Sequence, residues 1–132
     1  QTIAAQKLSD LKERVRIANA SPNAILVSIH QNIFSDSKYS GAQVFYPASG
    51  DSQLLAELMQ GTLRQSLIPE NHRKAKKSSG VYLMEHISCT GVLIESGFLS
   101  NPQEEAMLRS PSYQQKLCCC IAVVLNRFLS NA

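Results

Sequence analysis

The feature that most constrains the fold is a pair of short apolar runs that each end in a titratable side chain. Residues Ala24 to His30 read AILVSIH, and residues Gly91 to Glu95 read GVLIE. Nearly continuous apolar runs of about four to eight residues predict strands that are buried on both faces. Stretches with helical spacing of apolar residues lie between and around these runs, so the order favours an α/β fold.

The full pattern predicts one α/β domain, residues 1–132, in which helices flank a mixed, mostly parallel sheet. Predicted helix starts have a capping residue, and two of them also have proline at the first helical position. Glu13 and Glu104 are predicted to complete capping boxes. The predicted order is αββαββαα: a helix from Asp10 to about Asn19, strands 24–30 and 41–46, a helix from Asp51 or Ser52 to Leu67, strands 81–85 and 91–95, and helices from Pro102 and Pro111.

Composition is that of a single folded domain rather than a disordered chain. The chain has 132 residues, of which 44% are hydrophobic and 17% charged, and this supports one core. The net charge of +3 is too small to indicate nucleic-acid binding, although it suits an anionic partner. No apolar run approaches the roughly 20 residues that a transmembrane helix needs.

Four cysteines are present, and three of them are consecutive. Cys118, Cys119 and Cys120 cannot form a disulfide framework, and no C-x-x-C spacing occurs with Cys89. We therefore expect the three neighbours to be small buried residues on the last helix.

His30 and Glu95 are the candidate site residues. In open α/β sheets, sites lie at the carboxyl ends of strands, where both residues are predicted to stand. An imidazole and a carboxylate that meet there suit a metal-bound water and its general base. The structural alternative is a histidine with an ordinary hydrogen bond and a glutamate that caps the next turn.

A basic run, NHRKAKKSSG, fills residues 71–80. Such a run is most often a solvated loop. Its functional alternative is an anion-binding surface that faces substrate.

Several motifs, taken in order, resemble the Amidase_3 family of peptidoglycan amidases. The helix L-x-x-R-x-x-x-A-N begins at Leu11, and the strand end S-I-H-x-N begins at Ser28. A following strand begins at Gly41, and residues 92–101 read VLIESGFLSN, which resembles the family's L-V-E-x-G-F-L-S-N signature. The basic run followed by Val81-Tyr82-Leu83 looks most like the spore-cortex, germination-specific branch.

The resemblance implies zinc-dependent hydrolysis of the amide between N-acetylmuramic acid and L-alanine in peptidoglycan, outside the cytoplasm. Family members hold one Zn²⁺ through His, Glu and His; His30 matches the last ligand and Glu95 matches the carboxylate that activates water. Asn32 and Arg14 match family positions that we interpret as supporting structure.

One departure concerns the opening of the family domain, which carries D-P-G-H-G-G with the first histidine ligand and then the glutamate ligand. Neither motif occurs in these 132 residues. The chain is therefore expected to be the C-terminal part of the domain, inactive alone. Without the family's first strand, an exposed sheet edge is expected to favour a dimer or a swapped assembly.

Two alternative functions stay open. The chain could be a non-catalytic wall-binding or interaction module on the same scaffold. A cysteine hydrolase that uses Cys89 with His30 or His86 is a third reading, although no third catalytic group is identifiable.

Overall fold

The computed structural model describes residues 1–131, and these form nine helices and strands. Within that range, no helix has both the length and the hydrophobicity required to cross a membrane. In chain order the elements are α1 Ile3–Ala20, β1 Ile25–Asn32, β2 Gln43–Tyr46, α2 Ser52–Ser66, β3 Lys76–Lys77, α3 Tyr82–His86, β4 Thr90–Phe98, α4 Pro102–Arg109 and α5 Pro111–Ser130.

The four strands form one mixed sheet in the order β1-β4-β2-β3. β1 pairs with β4 in parallel, β4 pairs with β2 in antiparallel orientation, and β2 pairs with β3 in parallel. The single-domain α/β fold with a flanked mixed sheet is therefore confirmed. β4 is central, whereas β1 is an edge strand of the sheet that residues 1–131 form.

One face of the sheet is covered by α2 and α5 over strands β2 and β4. Side chains of β2 and β4 that point to this face, Val44, Val92 and Ile94, are completely inaccessible to solvent. They pack against the buried side chains of the two helices: Leu55, Ala56, Met59, Leu63, Leu117, Ile121 and Val124. This is the main hydrophobic core.

The opposite face is covered only in part. Leu93 of β4 packs there with buried residues of α1 and α3, among them Ala18, Leu83 and Met84. Because side chains two positions apart share a face of a strand, Leu93 and Glu95 point the same way. Helices α1 and α3 cover Leu93 but leave the half of the face around Glu95 open. We refer to this half as the open half of the sheet.

α1 begins at Ile3 rather than at the predicted Asp10. The hydroxyl of Thr2 accepts a hydrogen bond of 3.1 Å from the Ala5 amide, which caps the helix. Asp10 instead pairs with Arg14 at 2.9 Å, and Glu13 pairs with Arg16 at 2.6 Å. Pairs of this spacing support a helix interior, so the predicted capping box was wrong.

The predicted strand 81–85 was also wrong, because this segment is helix α3. Leu83 and Met84 are buried, and the Glu85 carboxylate accepts a hydrogen bond of 2.8 Å from the Gly80 amide ahead of the helix. Five residues are too few for periodicity to separate a buried strand from a buried helical turn. The short strand β3 lies instead inside the predicted basic loop.

The predicted burial was too high for strand β1 and for the three consecutive cysteines of α5. β1 was predicted to be buried on both faces, yet His30 and its two neighbours are exposed because β1 has a partner strand on one side only. Cys118 and Cys119 are exposed, and Cys120 is partly buried. Three consecutive residues on a helix point about 100° apart, so they cannot all face one core.

Glu104 has a role that the predicted capping box missed. Asn101 does cap α4, with its side-chain oxygen accepting from the Gln103 and Glu104 amides. The Glu104 carboxylate, however, accepts hydrogen bonds of 3.0 Å from the backbone amides of Gly41 and Phe98. This buried carboxylate therefore links the segment before β2 to the end of β4. Gly41 has φ 101°, and a Cβ there would lie 2.7 Å from Asn71 Oδ1, so glycine is required.

We expect Glu104→Ala to lower the free energy of unfolding by about 2–5 kcal/mol, because two buried amides lose their acceptor. Glu105→Ala is the matched control. Glu105 is next in the same helix, and its 3.5 Å contact with Arg109 is exposed to solvent, so its loss should cost under about 1 kcal/mol. Urea unfolding of both variants measures the difference, and equal losses would contradict this role for Glu104.

Candidate functional site

His30 and Glu95 face each other across the pair β1 and β4. Their Cα atoms are register partners in the parallel ladder, and neighbouring strands are about 4.8 Å apart. Both side chains point to the open half of the sheet. The predicted meeting of these two residues is confirmed, although both strands continue past them, to Asn32 and Phe98.

An irregularity in the ladder follows the pair directly. His30 is opposite Glu95, but Asn32 is already opposite Phe98, so β4 has one more residue than β1 over this interval. An extra residue of this kind bends a strand and redirects its side chains, and such bulges are frequent next to active sites. The bulge falls on the Ser96-Gly97 step of the E-S-G-F motif.

The His30 ring is exposed and is held by its own strand. Its Nε2 lies 2.7 Å from Ser28 Oγ, two residues back on the same face. A partner on one ring nitrogen fixes the orientation of the imidazole and leaves the other nitrogen available. Metal-binding histidines usually have such a second contact.

The Glu95 carboxyl is partly buried at the centre of the sheet. Its Oε2 is inaccessible to solvent and has no hydrogen-bond partner within residues 1–131. Burial raises the pKa of this carboxyl above its ordinary value, and the nearby charge of His30 opposes part of the increase. A carboxylate with a raised pKa takes up a proton more readily, which is what a general base requires.

Gln43 completes this row of side chains, and sequence reasoning missed it. It is the register partner of Glu95 on β2. Its amide nitrogen donates to the Lys74 carbonyl at 2.9 Å, and its amide oxygen accepts from Arg73 at 3.3 Å. Because side chains two positions apart share a face of a strand, the sequence could have predicted that Gln43 lies on the same face as Phe45.

Arg73 anchors the basic loop to this edge of the site. Its guanidinium donates a 2.7 Å hydrogen bond to the Ser40 carbonyl and lies 5.0 Å from the centre of the Phe98 ring. The loop is therefore attached to β2 and β4 rather than free in solvent.

A small cavity of about 170 Å³ opens on the β2 and β3 side of Glu95. Its lining combines apolar, hydroxyl and cationic residues: Phe45, Lys76, Lys77, Ser78, Ser79, Val81, Leu93 and Glu95.

The remaining histidines and Cys89 are not part of this arrangement. His86 stacks on Tyr82 in α3 with ring centres 3.9 Å apart, and His72 lines a different cavity together with Asn101. Cys89 precedes Thr90, at the opposite end of β4 from Glu95. The structure thus gives no support to a cysteine hydrolase that pairs Cys89 with His30. Within residues 1–131 it also shows no hydrogen bond between Cys89 and His86, whose ring nitrogen lies 2.8 Å from the Tyr82 carbonyl oxygen.

The donor groups of residues 1–131 fit a metal site only in part. His30 offers an exposed, oriented imidazole, and Glu95 stands beside it. No group of three His, Cys, Asp or Glu side chains that could hold a metal occurs within residues 1–131. A catalytic zinc normally has three protein ligands and a water, so these residues do not form a complete site.

Sequence comparison gives a consistent result over nearly the whole chain. The family model Amidase_3, described as N-acetylmuramoyl-L-alanine amidase, matches residues 2–127. The germination-specific N-acetylmuramoyl-L-alanine amidase of Bacillus subtilis (strain 168) is 39% identical over 127 residues. That match covers 96% of this chain and 53% of the relative, so the chain spans about half of that protein's length.

Solved structures of amidases match the fold. The CwlD amidase from Clostridioides difficile, solved in complex with the GerS lipoprotein, superposes with a TM-score of 0.93 and 36% identity. This match covers 100% of the present chain and 68% of that chain. An N-acetylmuramoyl-L-alanine amidase from Clostridium difficile 630 gives a TM-score of 0.81 with 27% identity, covering 91% of this chain and 65% of that one.

Proposed function

Because the chain belongs to the Amidase_3 family of N-acetylmuramoyl-L-alanine amidases, we propose that its protein hydrolyses the amide between N-acetylmuramic acid and L-alanine in peptidoglycan, with zinc as cofactor. Residues 1–132 would be the C-terminal portion of the catalytic domain. The observation that carries the proposal is the pairing of His30 with Glu95 on the open half of the sheet.

His30 and Glu95 would have separate tasks. His30 would be one of the protein ligands of zinc. When bound, the ion polarises the scissile carbonyl and lowers the pKa of water. Glu95 would take the proton of the attacking water and pass it to the departing alanine nitrogen, which suits a carboxylate whose pKa is raised by burial. Ser28 would keep the His30 ring in place.

The site of action that we propose is outside the cytoplasm, in the cell wall or the spore cortex. The germination-specific function in the name of the Bacillus subtilis relative supports the cortex. The net charge of +3 suits an anionic polymer.

A non-catalytic wall-binding module is the second candidate. The incomplete set of metal donors within residues 1–131 favours it. Zinc content and muropeptide cleavage separate the two candidates, since only the enzyme requires both.

We expect His30→Ala to remove zinc binding in a protein that carries the complete family ligand set, because a three-ligand site would lose one of its ligands. Metal analysis and release of L-alanyl peptide from muropeptides are the measurements. His86→Ala is the matched control, since His86 is exposed and its ring contacts Tyr82 of the same helix, by stacking and through Nδ1 at 2.8 Å from the Tyr82 carbonyl oxygen. Normal zinc content and activity in His30→Ala would exclude the assignment.

Glu95→Gln should retain zinc and lose activity by about two to four orders of magnitude, the usual contribution of a general acid–base group. The fold should tolerate the change, because Glu95 Oε2 accepts no hydrogen bond within residues 1–131. Metal analysis, thermal unfolding and cleavage rate are measured together on one preparation. A fully active Glu95→Gln protein would remove Glu95 from the mechanism.

The 132-residue chain alone should be inactive and should bind zinc weakly or not at all, since His30 is the only ligand it supplies at the family position. β1 is an edge strand whose outer side can accept another strand, so we also expect dimers or swapped assemblies. The test is to add zinc to the purified chain and measure bound metal, turnover and mass in solution. Stoichiometric zinc with rapid turnover would show that the family ligand set is wrong for this protein.

A further inference from the structure

The cavity beside Glu95 lies on the side of β4 that is opposite to His30. In the strand order β1-β4-β2-β3, His30 is on one side of Glu95, and the strands β2 and β3 are on the other. Under the proposed function, Glu95 protonates the departing alanine nitrogen, so that nitrogen must lie against Glu95. Under the same proposal, the scissile carbonyl lies on the His30 side, where zinc would polarise it. The peptide that begins at the alanine nitrogen then continues away from His30, toward β2 and β3.

Two cations, Lys76 and Lys77, line the cavity, and Lys76 is the one that shares the face of Glu95. It is the register partner of Phe45 on β2, and Phe45 is the partner of Leu93 on β4. These positions share the face of Glu95, and Lys76 lines the cavity together with Glu95. Lys76 forms no salt bridge with any carboxylate of residues 1–131.

Ser78 supplies a second, independent observation. It is two residues beyond Lys76 and lines the same cavity. Its hydroxyl oxygen is inaccessible to solvent and has no hydrogen-bond partner within residues 1–131. Buried polar groups are normally paired, so the unpaired Ser78 hydroxyl leaves a position open for a ligand at this cavity.

The cavity has the size and the walls of a site for a small anion. Its volume of about 170 Å³ is that of a few water molecules at roughly 30 Å³ each, which accommodates a carboxylate. Phe45 and Leu93 make part of the wall apolar, whereas Lys76 is exposed to solvent, so its interaction with an anion is partly screened.

We propose that this cavity is a subsite for a carboxylate of the substrate's peptide, bound by the Lys76 ammonium and the Ser78 hydroxyl. The inference rests on the proposed function for its direction, and it adds a preference for acidic over amidated stem peptides. The carboxylate nearest the scissile bond belongs to the residue after L-alanine.

The test uses two probes that differ only in that charge: N-acetylmuramoyl-L-alanyl-D-glutamate with its γ-carboxyl blocked as a methylamide, and the same compound with its α-carboxyl amidated. Binding to the 132-residue chain is followed by NMR through the backbone amides of residues 76–79. At low salt the acidic probe should bind about three- to fivefold more tightly, the upper part of the range for an exposed charge pair. About 0.5 M salt should reduce the difference by screening.

Two variants and a control locate the effect. Lys76→Gln should reduce the preference to less than about twofold, and Ser78→Ala should weaken binding of the acidic probe without lowering thermal stability, because its hydroxyl has no partner to lose. Lys116→Gln, an exposed residue of α5 on the other side of the sheet, should keep the full preference.

The subsite is overturned if the two probes bind equally, if neither binds at about 10 mM, or if the preference survives in Lys76→Gln. These outcomes are distinct from failure of the proposed function. Equal cleavage of both probes by the complete zinc-loaded domain would retain the function and remove the subsite. A charge preference in binding without any cleavage would retain the subsite and remove the function.

Discussion

The pairing of β4 on both of its sides is the constraint on which the rest of the structure depends. β1 and β2 satisfy its backbone groups, and every residue from Gly91 to Phe98 except Glu95 is buried. A carboxylate at the centre of such a strand loses hydration, which is why the pKa of Glu95 is raised. The fold makes this position tolerable by leaving one half of a sheet face uncovered, and that opening keeps Glu95 partly exposed to solvent.

Strands β1 and β4 and the meeting of His30 with Glu95 could be predicted from the sequence, because they follow from general rules for strands and sheets. The apolar runs AILVSIH and GVLIE predict buried strands. The alternation of side chains along a strand then predicts the face on which His30 and Glu95 lie. Their meeting follows from the rule that parallel strands bring their carboxyl ends together. Nothing in either run alone reveals that β4 has a partner on both sides and β1 on one, which is why the burial of β1 was overestimated.

Other features depend on contacts between distant segments, and no local rule contains them. The carboxylate of Glu104 binds amides 63 and 6 residues away, whereas the local pattern around Asn101 favours a capping box. Gln43 becomes a neighbour of Glu95 only once β2 pairs with β4 in antiparallel orientation. Helix α3 replaces a predicted strand because burial of Leu83 and Met84 against α1 and β4 outweighs the weak preference of a five-residue segment.

His30 and Glu95 therefore stand on strands that are supported to very different degrees. Glu95 is held by ladders on both sides and, three residues later, by the Glu104 contact to Phe98. His30 lies on an edge strand and is fixed by one ladder and by Ser28. A strand with one partner opens more easily than a central strand, because fewer hydrogen bonds and buried contacts must break. An ion that binds His30 together with groups outside β1 would supply part of the free energy that orders this edge, since metal binding and folding are coupled. Glu95, the proposed general base, is thus held in place by the fold itself, whereas His30, the proposed metal ligand, stands on the less supported strand.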